Sequence, residues 1–409
     1  MPQHVLMIPA CLGLCLLAAA KTVPIELICI DPESTHYGTF QSHNQKVVSN
    51  AHGIFTTHIR SRNEPYTAQQ WRLSRSTNGG RTFATVYEAT HATNPPVLET
   101  DEGANIYLVR PDFGDGHAYL YRFLAAEDYA DAHVSRIPNG SAGKFCMSID
   151  QARERLYYFA HNNTFHTLDL AGNLLRSVNL LKPGANAVLQ YPLLYLTPRG
   201  VLHAAWTTQK HGVYLYWDIH HMLSEDAGES WRTMDGKPVD VPVVADNGGA
   251  ATLVSLPDEF EAHTWLSSFL CKGGKVHMLY LAQTDPPRQH YVRYDVVTGD
   301  REVDLQPEFR GETFALQGLD GFFASAPHDP ASALYCVVAS SGRIGCLISR
   351  DNGSTWHDYA LSVPVEQPYS IGGCRQITAD GYVIGTFTST PSVADAPSQV
   401  WFLRIKTGL

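Results

Sequence analysis

Short apolar runs separated by polar or glycine-containing breaks repeat along the chain from Val23 onwards. One pair of such runs lies within residues 200–231 and is divided by a polar break at residues 209–212. Runs of about four to eight residues, bounded by turn residues, are typical of β-strands. Because no stretch shows the spacing of a long amphipathic helix, the pattern predicts an all-β protein.

One kind of turn recurs between the predicted strands. It reads Ser-x-Asp-x-Gly-x-x-Trp at residues 224–231 and 349–356, and residues 76–83 are a degenerate copy with Asn78 and Phe83. The serine and aspartate side chains can bond nearby backbone, and the glycine allows a positive φ. This turn is the Asp-box of the BNR repeat, and its recurrence predicts a protein built from repeated small sheets.

The Asp-box assigns a direction to every strand if it joins the third and fourth strands of each blade of a propeller. The first strand then runs along the axis away from one face, here called the upper face, and the Asp-boxes lie on the lower face. The predicted blades cover residues 43–90, 94–138, 144–181, 191–231, 263–303, 321–361 and 374–406.

The last predicted blade has only three strands, at residues 374–379, 382–388 and 399–406. Residues 23–30 form an unassigned apolar strand at the other end of the chain. Pairing the two would close the ring and cover the open sheet edges. The sequence therefore predicts one all-β domain over residues 21–409, a seven-bladed β-propeller with Asp-box turns, closed by an N-terminal strand.

The first twenty residues predict export. Residues 5–20 are apolar and end in three alanines, which fits a signal peptide over residues 1–20. An anchor helix is the alternative, but the run is shorter than the roughly 20 residues that span a bilayer. The protein is thus expected to be secreted and extracellular, and the sequons at Asn139, Asn162 and Asn352 fit this location.

Six cysteines remain after the predicted signal peptide, and an even number suits an oxidising compartment. Cys336 and Cys346 flank a predicted hairpin turn and could face each other. The simpler interpretation is that the cysteines are small buried apolar residues.

Charge excludes one class of partner. The net charge is −10 and no basic patch stands out, so the chain is not expected to bind nucleic acid. No later segment resembles a membrane span. We expect a monomer.

The upper face collects polar residues, which predicts a binding site there. They lie either at the starts of first strands or in the loops between second and third strands. The strand starts supply His43, His91, Asn94, Tyr191, His263 and Arg375, and the loops supply Arg60, His117, Lys210, His211, Arg288 and His290.

The kinds of side chain favour one reaction class. Glycosidases need a pair of positioned carboxylates, and carboxylates are few on the predicted upper face. Histidine, tyrosine and cations instead suit β-elimination at a uronic acid, in which a cation neutralises the carboxylate and a histidine takes the C5 proton. Sialidases share the turn but need three clustered arginines, and the residues around Arg60, Arg288 and Arg375 do not match.

Metal binding has little support in the sequence. His220 and His221 are neighbours on a strand and face opposite ways. No cofactor is expected to be required, and a structural Ca²⁺ ion in the axial channel is left open.

Several stretches carry a resemblance to a family. Residues 190–206, followed by the Asp-box and residues 236–239, resemble the BNR-4 group of seven-bladed propellers, which includes the ulvan lyases. Residues 38–45, 66–71 and 90–95 resemble a subgroup that acts on rhamnose linked α-1,4 to glucuronic acid at the chain ends of arabinogalactan and gum arabic.

The resemblance implies two chemistries, a lyase on the upper face and an α-L-rhamnosidase with its histidine on the opposite face. For the lyase it implies His91, His117 and Tyr191 as acid–base residues, and for the rhamnosidase it implies His52. Where ulvan lyases often show Trp-x-x-Arg, residues 206–210 read Trp-Thr-Thr-Gln-Lys, so Lys210, Arg288 and Arg375 remain candidates for the carboxylate partner. A non-catalytic glycan-binding propeller is the third hypothesis.

Overall fold

The computed structural model describes residues 22–41, 43–60, 64–213, 215–245, 251–260, 262–309, 312–313, 321–326, 328–329, 331–340, 342–392 and 396–408. The predicted signal peptide lies outside the described residues. Within them the chain forms seven sheets of four or five strands, arranged as the blades of an all-β propeller, which confirms the predicted fold class. None of the described helices is long and apolar enough to cross a bilayer.

The strands follow the chain order from the N-terminal end, with the blades numbered as predicted. The first half of the chain contains β1 (Val23–Pro24) and β2 (Glu26–Ser34), then blade one with β3 (Val47–Asn50), β4 (Gly53–Arg60), β5 (Gln69–Ser76) and β6 (Ala84–Ala92), blade two with β7 (Val97–Thr100), β8 (Ile106–Asp112), β9 (His117–Phe123) and β10 (Ala132–Ile137), and blade three with β11 (Phe145–Asp150), β12 (Arg155–Ala160), β13 (Thr164–Asp169) and β14 (Leu174–Asn179).

The second half continues the same pattern. It contains β15 (Leu181–Lys182), blade four with β16 (Ala187–Leu196), β17 (Leu202–Lys210), β18 (Tyr216–Ser224), β19 (Trp231–Arg232) and β20 (Pro238–Val239), then β21 (Val243–Val244), blade five with β22 (Thr264–Lys272), β23 (Lys275–Ala282), β24 (Arg288–Asp295) and β25 (Arg301–Leu305), β26 (Glu308–Phe309), β27 (Glu312–Thr313), blade six with β28 (Phe322–Ala324), β29 (Leu334–Ser340), β30 (Arg343–Ser349) and β31 (His357–Leu361), and blade seven with β32 (Pro368–Gly373), β33 (Tyr382–Ser389) and β34 (Ser398–Lys406).

Short elements complete the described chain. β15 pairs with β21 and β26 pairs with β27, each as a two-stranded sheet. Single 3₁₀ turns form at Tyr66–Ala68, Ala125–Glu127 and Pro257–Glu259.

The N-terminal segment joins two blades. β2 pairs antiparallel with β34 as the outermost strand of blade seven, with Glu26 opposite Arg404. β1 pairs parallel with β31 of blade six, with Val23 opposite Ala360. The expected single strand at residues 23–30 is therefore two strands, and the buried Ile25 between them packs into the core of blades six and seven.

The first strand of blade seven lies earlier than expected. It is β32, Pro368–Gly373, and the predicted strand at residues 374–379 is the connection that leads to β33. The segment Pro368–Gly373 contains a proline and two glycines, so its local sequence gives a weak strand signal. Arg375 consequently follows a first strand and does not begin one.

The Asp-box turns form through side-chain bonds to the backbone. In blade four the Gly228 N–H donates to Ser224 Oγ at 2.8 Å, and the Ser230 N–H donates to Asp226 Oδ1 at 2.9 Å. Blade six repeats the bond from Gly353 N to Ser349 Oγ at 2.7 Å. In each box a short polar side chain thus replaces missing backbone partners at the turn.

The cysteines are buried apart from one. All six in the described chain are free, and only Cys29 is exposed. Cys336 lies opposite Leu347, and Val337 lies opposite Cys346. Since neighbouring positions on a strand face opposite sides of a sheet, Cys336 and Cys346 pack in different core clusters.

Candidate active site

The upper mouth is formed by segments that lead into the first strands. Three of the residues there have left-handed backbone angles: Gln41 with φ 65°, Tyr191 with φ 45° and His263 with φ 57°. At Tyr191 the pairing of β16 with β17 shifts register between Gln190 and Leu193. Non-glycine residues rarely adopt this conformation, and such strain concentrates at functional sites.

Tyr191 is the centre of a cluster of rings and a cation. The His43 ring meets it edge-on with 5.4 Å between centroids, and Lys144 Nζ lies 5.5 Å from its ring centre. The Tyr216 hydroxyl donates to the Tyr191 hydroxyl at 3.2 Å. Two sequence-predicted residues, His43 and Tyr191, are therefore in contact.

His263 supports the same cluster from blade five. Its ring stacks on Tyr216 with 5.0 Å between centroids, and its Nδ1 accepts the Tyr216 backbone N–H at 3.1 Å. Burial lowers the pKa of His263 below its usual 6.5. The imidazole is therefore neutral near neutral pH and orients Tyr216.

The Gly143 peptide ties three blades together at the mouth. Its carbonyl accepts from Gln41 Nε2 and from Asn94 Nδ2, each at 2.6 Å. Its N–H donates to Nδ1 of His161 at 3.0 Å. Asn94, predicted from sequence, is thus held at the mouth by the Gly143 carbonyl.

Five buried polar atoms at this mouth have no hydrogen-bond partner in the described chain. Both ring nitrogens of His43, which is 5% exposed, have no partner in the described chain. The same holds for Asn44 Oδ1, Asn94 Oδ1 and Gln190 Oε1. An unsatisfied buried polar group costs about 1–3 kcal/mol, so a ligand that bonds these atoms would offset that cost.

The axial region is rich in cations. Burial first, and then the charges of Lys46, Arg375 and Lys144, hold the pKa of His43 well below its usual range. Burial also lowers the pKa of Lys46, whose Nζ donates to the carbonyls of Gln41 and Asn44. An anionic ligand would relieve the mutual repulsion of these groups.

One acid faces these cations. Burial raises the pKa of Glu99 to about 7, although Arg375 and the Gln45 amide act in the opposite direction. Gln45 Nε2 donates to Glu99 at 3.0 Å, and Gln45 Oε1 accepts from the Arg375 backbone N–H at 3.2 Å. The Arg375 guanidinium lies 5.8 Å from the ring centre of Tyr195. Arg375 therefore contacts Gln45 of blade one and Tyr195 of blade four.

These groups do not fit a calcium ion. Ca²⁺ takes about six to eight oxygen ligands, whereas the charged groups that act on His43 here are the cations Lys46, Lys144 and Arg375. No cluster of three or more His, Cys, Asp or Glu side chains in the described ranges is placed to hold a metal.

His91 and His117 lie on either side of Arg110. The Arg110 guanidinium donates to the His91 carbonyl at 2.7 Å and to Asp112 at 2.9 Å, and Asp112 is paired with His117 across β8 and β9. The His91 side chain is exposed and bonds Thr90 at 2.8 Å. His117 Nδ1 accepts the Asn139 N–H at 3.2 Å. The described contacts join neither histidine to Tyr191.

Arg60 belongs to an ion network at the junction of blades one and seven. It pairs with Glu33 and lies 3.6 Å from Asp31, which also binds His58 and Arg72. Asp31 and Glu33 are on β2, so this network links the closing strand to blade one.

Lys210 and His211 lie at the top of blade four. Lys210 Nζ is 5.2 Å from the Trp217 ring centre, and His211 Nε2 is 3.2 Å from the Gly184 carbonyl.

Arg288 and His290 attach the Pro257–Glu259 turn to blade five. Arg288 pairs with Asp258 at 2.7 Å, and His290 lies 2.6 Å from both Glu259 and Asp304. Burial alone would lower the pKa of His290, but the two carboxylates outweigh it and raise that pKa. Both side chains are already engaged with acids of the protein.

His52 lies in the β3–β4 turn, at the opposite end of the strands from the upper mouth. Its ring contacts Tyr129 edge-on at 5.9 Å, and its carbonyl accepts two bonds from Arg75. The side chain is exposed.

Sequence reasoning missed Lys144 and Tyr216 as site residues. Lys144 immediately precedes β11, so the strand-start rule that selected His263 would have found it. Tyr216 begins a third strand, and only the packing of blade four against blade five shows that it reaches the mouth.

Several solved structures share this architecture. An ulvan lyase of polysaccharide lyase family 25, bound to -[GlcA(1-4)Rha3S]-, superposes with TM-score 0.64 and 12% identity, covering 92% of this chain and 95% of the other. The polysaccharide lyase Uly1 gives TM-score 0.60 and 9% identity over 94% of this chain and 100% of the other.

A hydrolase is also similar in fold. The α-L-arabinofuranosidase Arb93A from Fusarium graminearum, in complex with an iminosugar inhibitor, gives TM-score 0.52 and 12% identity over 94% of this chain and 98% of the other. At these identities the likenesses establish a shared fold. No curated protein matches the chain by sequence.

The sequence itself matches a family profile. Residues 43–299 match the profile described as "BNR repeat-containing family member". These residues are more than half of the 409 in the chain and include blades one to four and most of blade five. The chain belongs to the BNR repeat-containing BNR-4 family.

Proposed function

We propose that this protein is a secreted polysaccharide lyase that cleaves rhamnose-α-1,4-glucuronate ends of arabinogalactan by β-elimination. The observation that carries the proposal is His43, buried without a partner for either ring nitrogen and in contact with Tyr191. A neutral imidazole and a phenol, close together beside cations, are the groups that this elimination needs.

The reaction assigns a role to each group. Arg375 and Lys144 neutralise the uronate carboxylate, which lowers the acidity barrier at C5. His43 takes the C5 proton, the electron pair forms the C4–C5 double bond, and the C4–O4 bond breaks. The Tyr191 hydroxyl gives its proton to the departing rhamnose oxygen.

The contacts favour this assignment over the other sequence candidates. His91 and His117 are engaged with Thr90 and Asn139. Arg288 is already paired with Asp258. The guanidinium of Arg375 makes no described ion pair, so it is the better partner for a substrate carboxylate.

The scarcity of acids supports elimination over hydrolysis by a carboxylate pair. Glu99 is held by Gln45 in the axial region, and glycosidases need two positioned carboxyl groups. The lyase folds that superpose on this chain are consistent with a glycan substrate.

The test is incubation with gum arabic. The wild-type protein should release rhamnose together with the ultraviolet absorbance of an unsaturated uronate. His43→Ala and Tyr191→Phe should each lose about 100-fold or more in kcat, the usual contribution of a general acid or base. His91→Ala and His117→Ala are the matched histidine controls and should retain most activity; a larger loss there than at His43 would overturn the assignment.

A second candidate function is an α-L-rhamnosidase on the opposite face. It is favoured by the exposed His52, whose ring is available at the β3–β4 turn. This function predicts rhamnose release without the absorbance, and loss of that release in His52→Ala while His43→Ala retains it. Glycan binding without any product would instead indicate a non-catalytic propeller.

A further inference from the structure

The loop between β8 and β9 presents an exposed aromatic ring on the upper face. Phe113 is 45% exposed, whereas the other exposed large hydrophobic residues of the described chain are aliphatic. Full burial of a phenylalanine side chain contributes about 1.5–3 kcal/mol, and Phe113 forgoes part of this. An aromatic side chain held in water beside a polar mouth suits the recognition of a ligand that has both polar groups and an apolar face.

The loop holds this ring on a fixed backbone. Asp112 Oδ1 accepts the Gly114 N–H at 2.8 Å, and Asp115 Oδ1 accepts the His117 N–H at 2.9 Å. The Tyr119 hydroxyl also donates to Asp115. Two carboxylates thus close the turn on both sides of Phe113, so little loop entropy is lost when a ligand contacts it.

The ring lies close to a glycine, and the space that they border is here called the slot. A Cβ on Gly143 would lie 3.4 Å from Phe113 Cζ and 3.5 Å from His161 Cε1. The space above Gly143 is therefore bordered by two rings. Because Gln41, Asn94 and His161 hold the Gly143 peptide, the slot is preformed.

The second wall of the slot is a neutral hydrogen-bond donor. His161 Nδ1 accepts the backbone N–H groups of Gly143 and Lys144, so its proton is on Nε2. Burial and the charge of Lys144 lower the pKa of His161 to about 4. At neutral pH the slot therefore offers an aromatic face and an uncharged N–H donor.

The slot adjoins the axial cluster. Lys144 directly follows Gly143, and its Nζ lies over the Tyr191 ring. We propose that Phe113, Gly143 and His161 form a subsite for a neutral pyranose of the glycan chain, next to the sugar acid bound at Tyr191. This proposal rests on the proposed function and extends it from a terminal disaccharide to a chain.

The test compares two substrates, a rhamnosyl-glucuronate disaccharide and a longer gum arabic fragment that contains it. Phe113→Ala should lower the ratio of kcat/KM for the long substrate to that for the short one by about tenfold, the effect of about 1.4 kcal/mol. Phe113→Trp should keep the ratio. Val213→Ala removes an exposed side chain from the corresponding loop of blade four and should leave the ratio unchanged.

Gly143→Ala tests the slot without removing either ring. Its methyl would make ordinary contacts, so the fold should be retained while the space is filled. We expect the same fall in the ratio as for Phe113→Ala. Equal effects of these variants on both substrates would overturn the subsite.

A binding measurement separates this proposal from the lyase assignment. Saturation-transfer NMR with a neutral arabinogalactan oligosaccharide, free of uronate, should show contact with wild-type protein and a loss of the signal in Phe113→Ala. If gum arabic yields no product but this contact is present, the proposed reaction fails and the subsite stands. If wild type shows no contact, or Phe113→Ala keeps it, the subsite is overturned.

Discussion

At the scale of single residues, the Asp-box glycines have a role beyond the turn. Each lies against an aromatic ring on the third strand of the preceding blade: Gly80 against Phe402, Gly228 against Phe165 and Gly353 against Tyr291. A Cβ would come within 2.3, 2.9 and 1.7 Å of these side chains. The box therefore requires glycine at this one position for two reasons, its positive φ and the close approach of the neighbouring blade.

The cost of the positive φ can be measured apart from that of the close contact by comparing two glycines that have the same φ. Gly353 and Gly236 both have φ 84°, but nothing lies within 4 Å of a Cβ on Gly236. Gly236→Ala should cost about 1–2 kcal/mol, the penalty of a left-handed L-residue. Gly353→Ala should cost at least about 3 kcal/mol because it also displaces Tyr291. Urea unfolding of both variants measures the difference, and equal losses would show that the aromatic contact adds nothing.

At the scale of elements, the middle strands of the blades carry neutral buried histidines. Burial lowers the pKa of His166 on β13 to about 4, and that of His203 on β17 and His277 on β23 to about 3. Hydrogen bonds hold each ring, as between His277 Nδ1 and the Tyr291 hydroxyl at 2.8 Å. These residues pack as neutral groups at neutral pH.

Protonation of these histidines should lower the free energy of unfolding as the pH falls. Below about pH 6.5 the unfolded histidines bind protons, while the folded ones do so only near pH 4 or lower. The unfolded state therefore binds more protons, and the free energy of unfolding should decrease as pH falls from about 6.5 to 4. Denaturant titrations across this range test the effect, and His166→Gln should make the slope shallower. A flat profile above pH 4 would contradict it.

At the scale of the whole molecule, the chain's first strands hold the ring closed. β2 covers the edge of β34, Arg404 binds Glu26 at 2.9 Å through Nε, and Asp31 joins blade one through His58 and Arg72. Blades one and seven are thus connected by the closing strand as well as by direct packing.

Removing this strand should open the ring. A chain that begins at Thr35 should unfold at lower temperature than one that begins at Thr22 and should aggregate, because the edge of β34 is exposed. A peptide of residues 22–34 added in trans should restore the unfolding temperature, and a scrambled peptide should not. Unchanged thermal unfolding of the shortened chain would show that the strand is dispensable.

Much of the architecture was predictable because its signals are local. The Asp-boxes fixed strand direction, and most predicted blade ranges agree with the observed ones to within a few residues, as in blade two, predicted at residues 94–138 and observed from Val97 to Ile137. Blade seven was the exception, since the glycines of β32 carry no apolar pattern. The division of residues 23–30 between two blades also has no local signal.

The sequence by itself determined the blade turns, the ring of strands and a set of polar residues on one face, because each follows from periodicity and turn chemistry. Only the tertiary structure decided which of those residues meet. It brings His43 to Tyr191 and commits Arg60, Arg288 and His290 to acids elsewhere. The reason is physical. Which side chains from different blades meet depends on the packing of the blades and on the conformation of each loop, and the spacing of residues along one strand specifies neither.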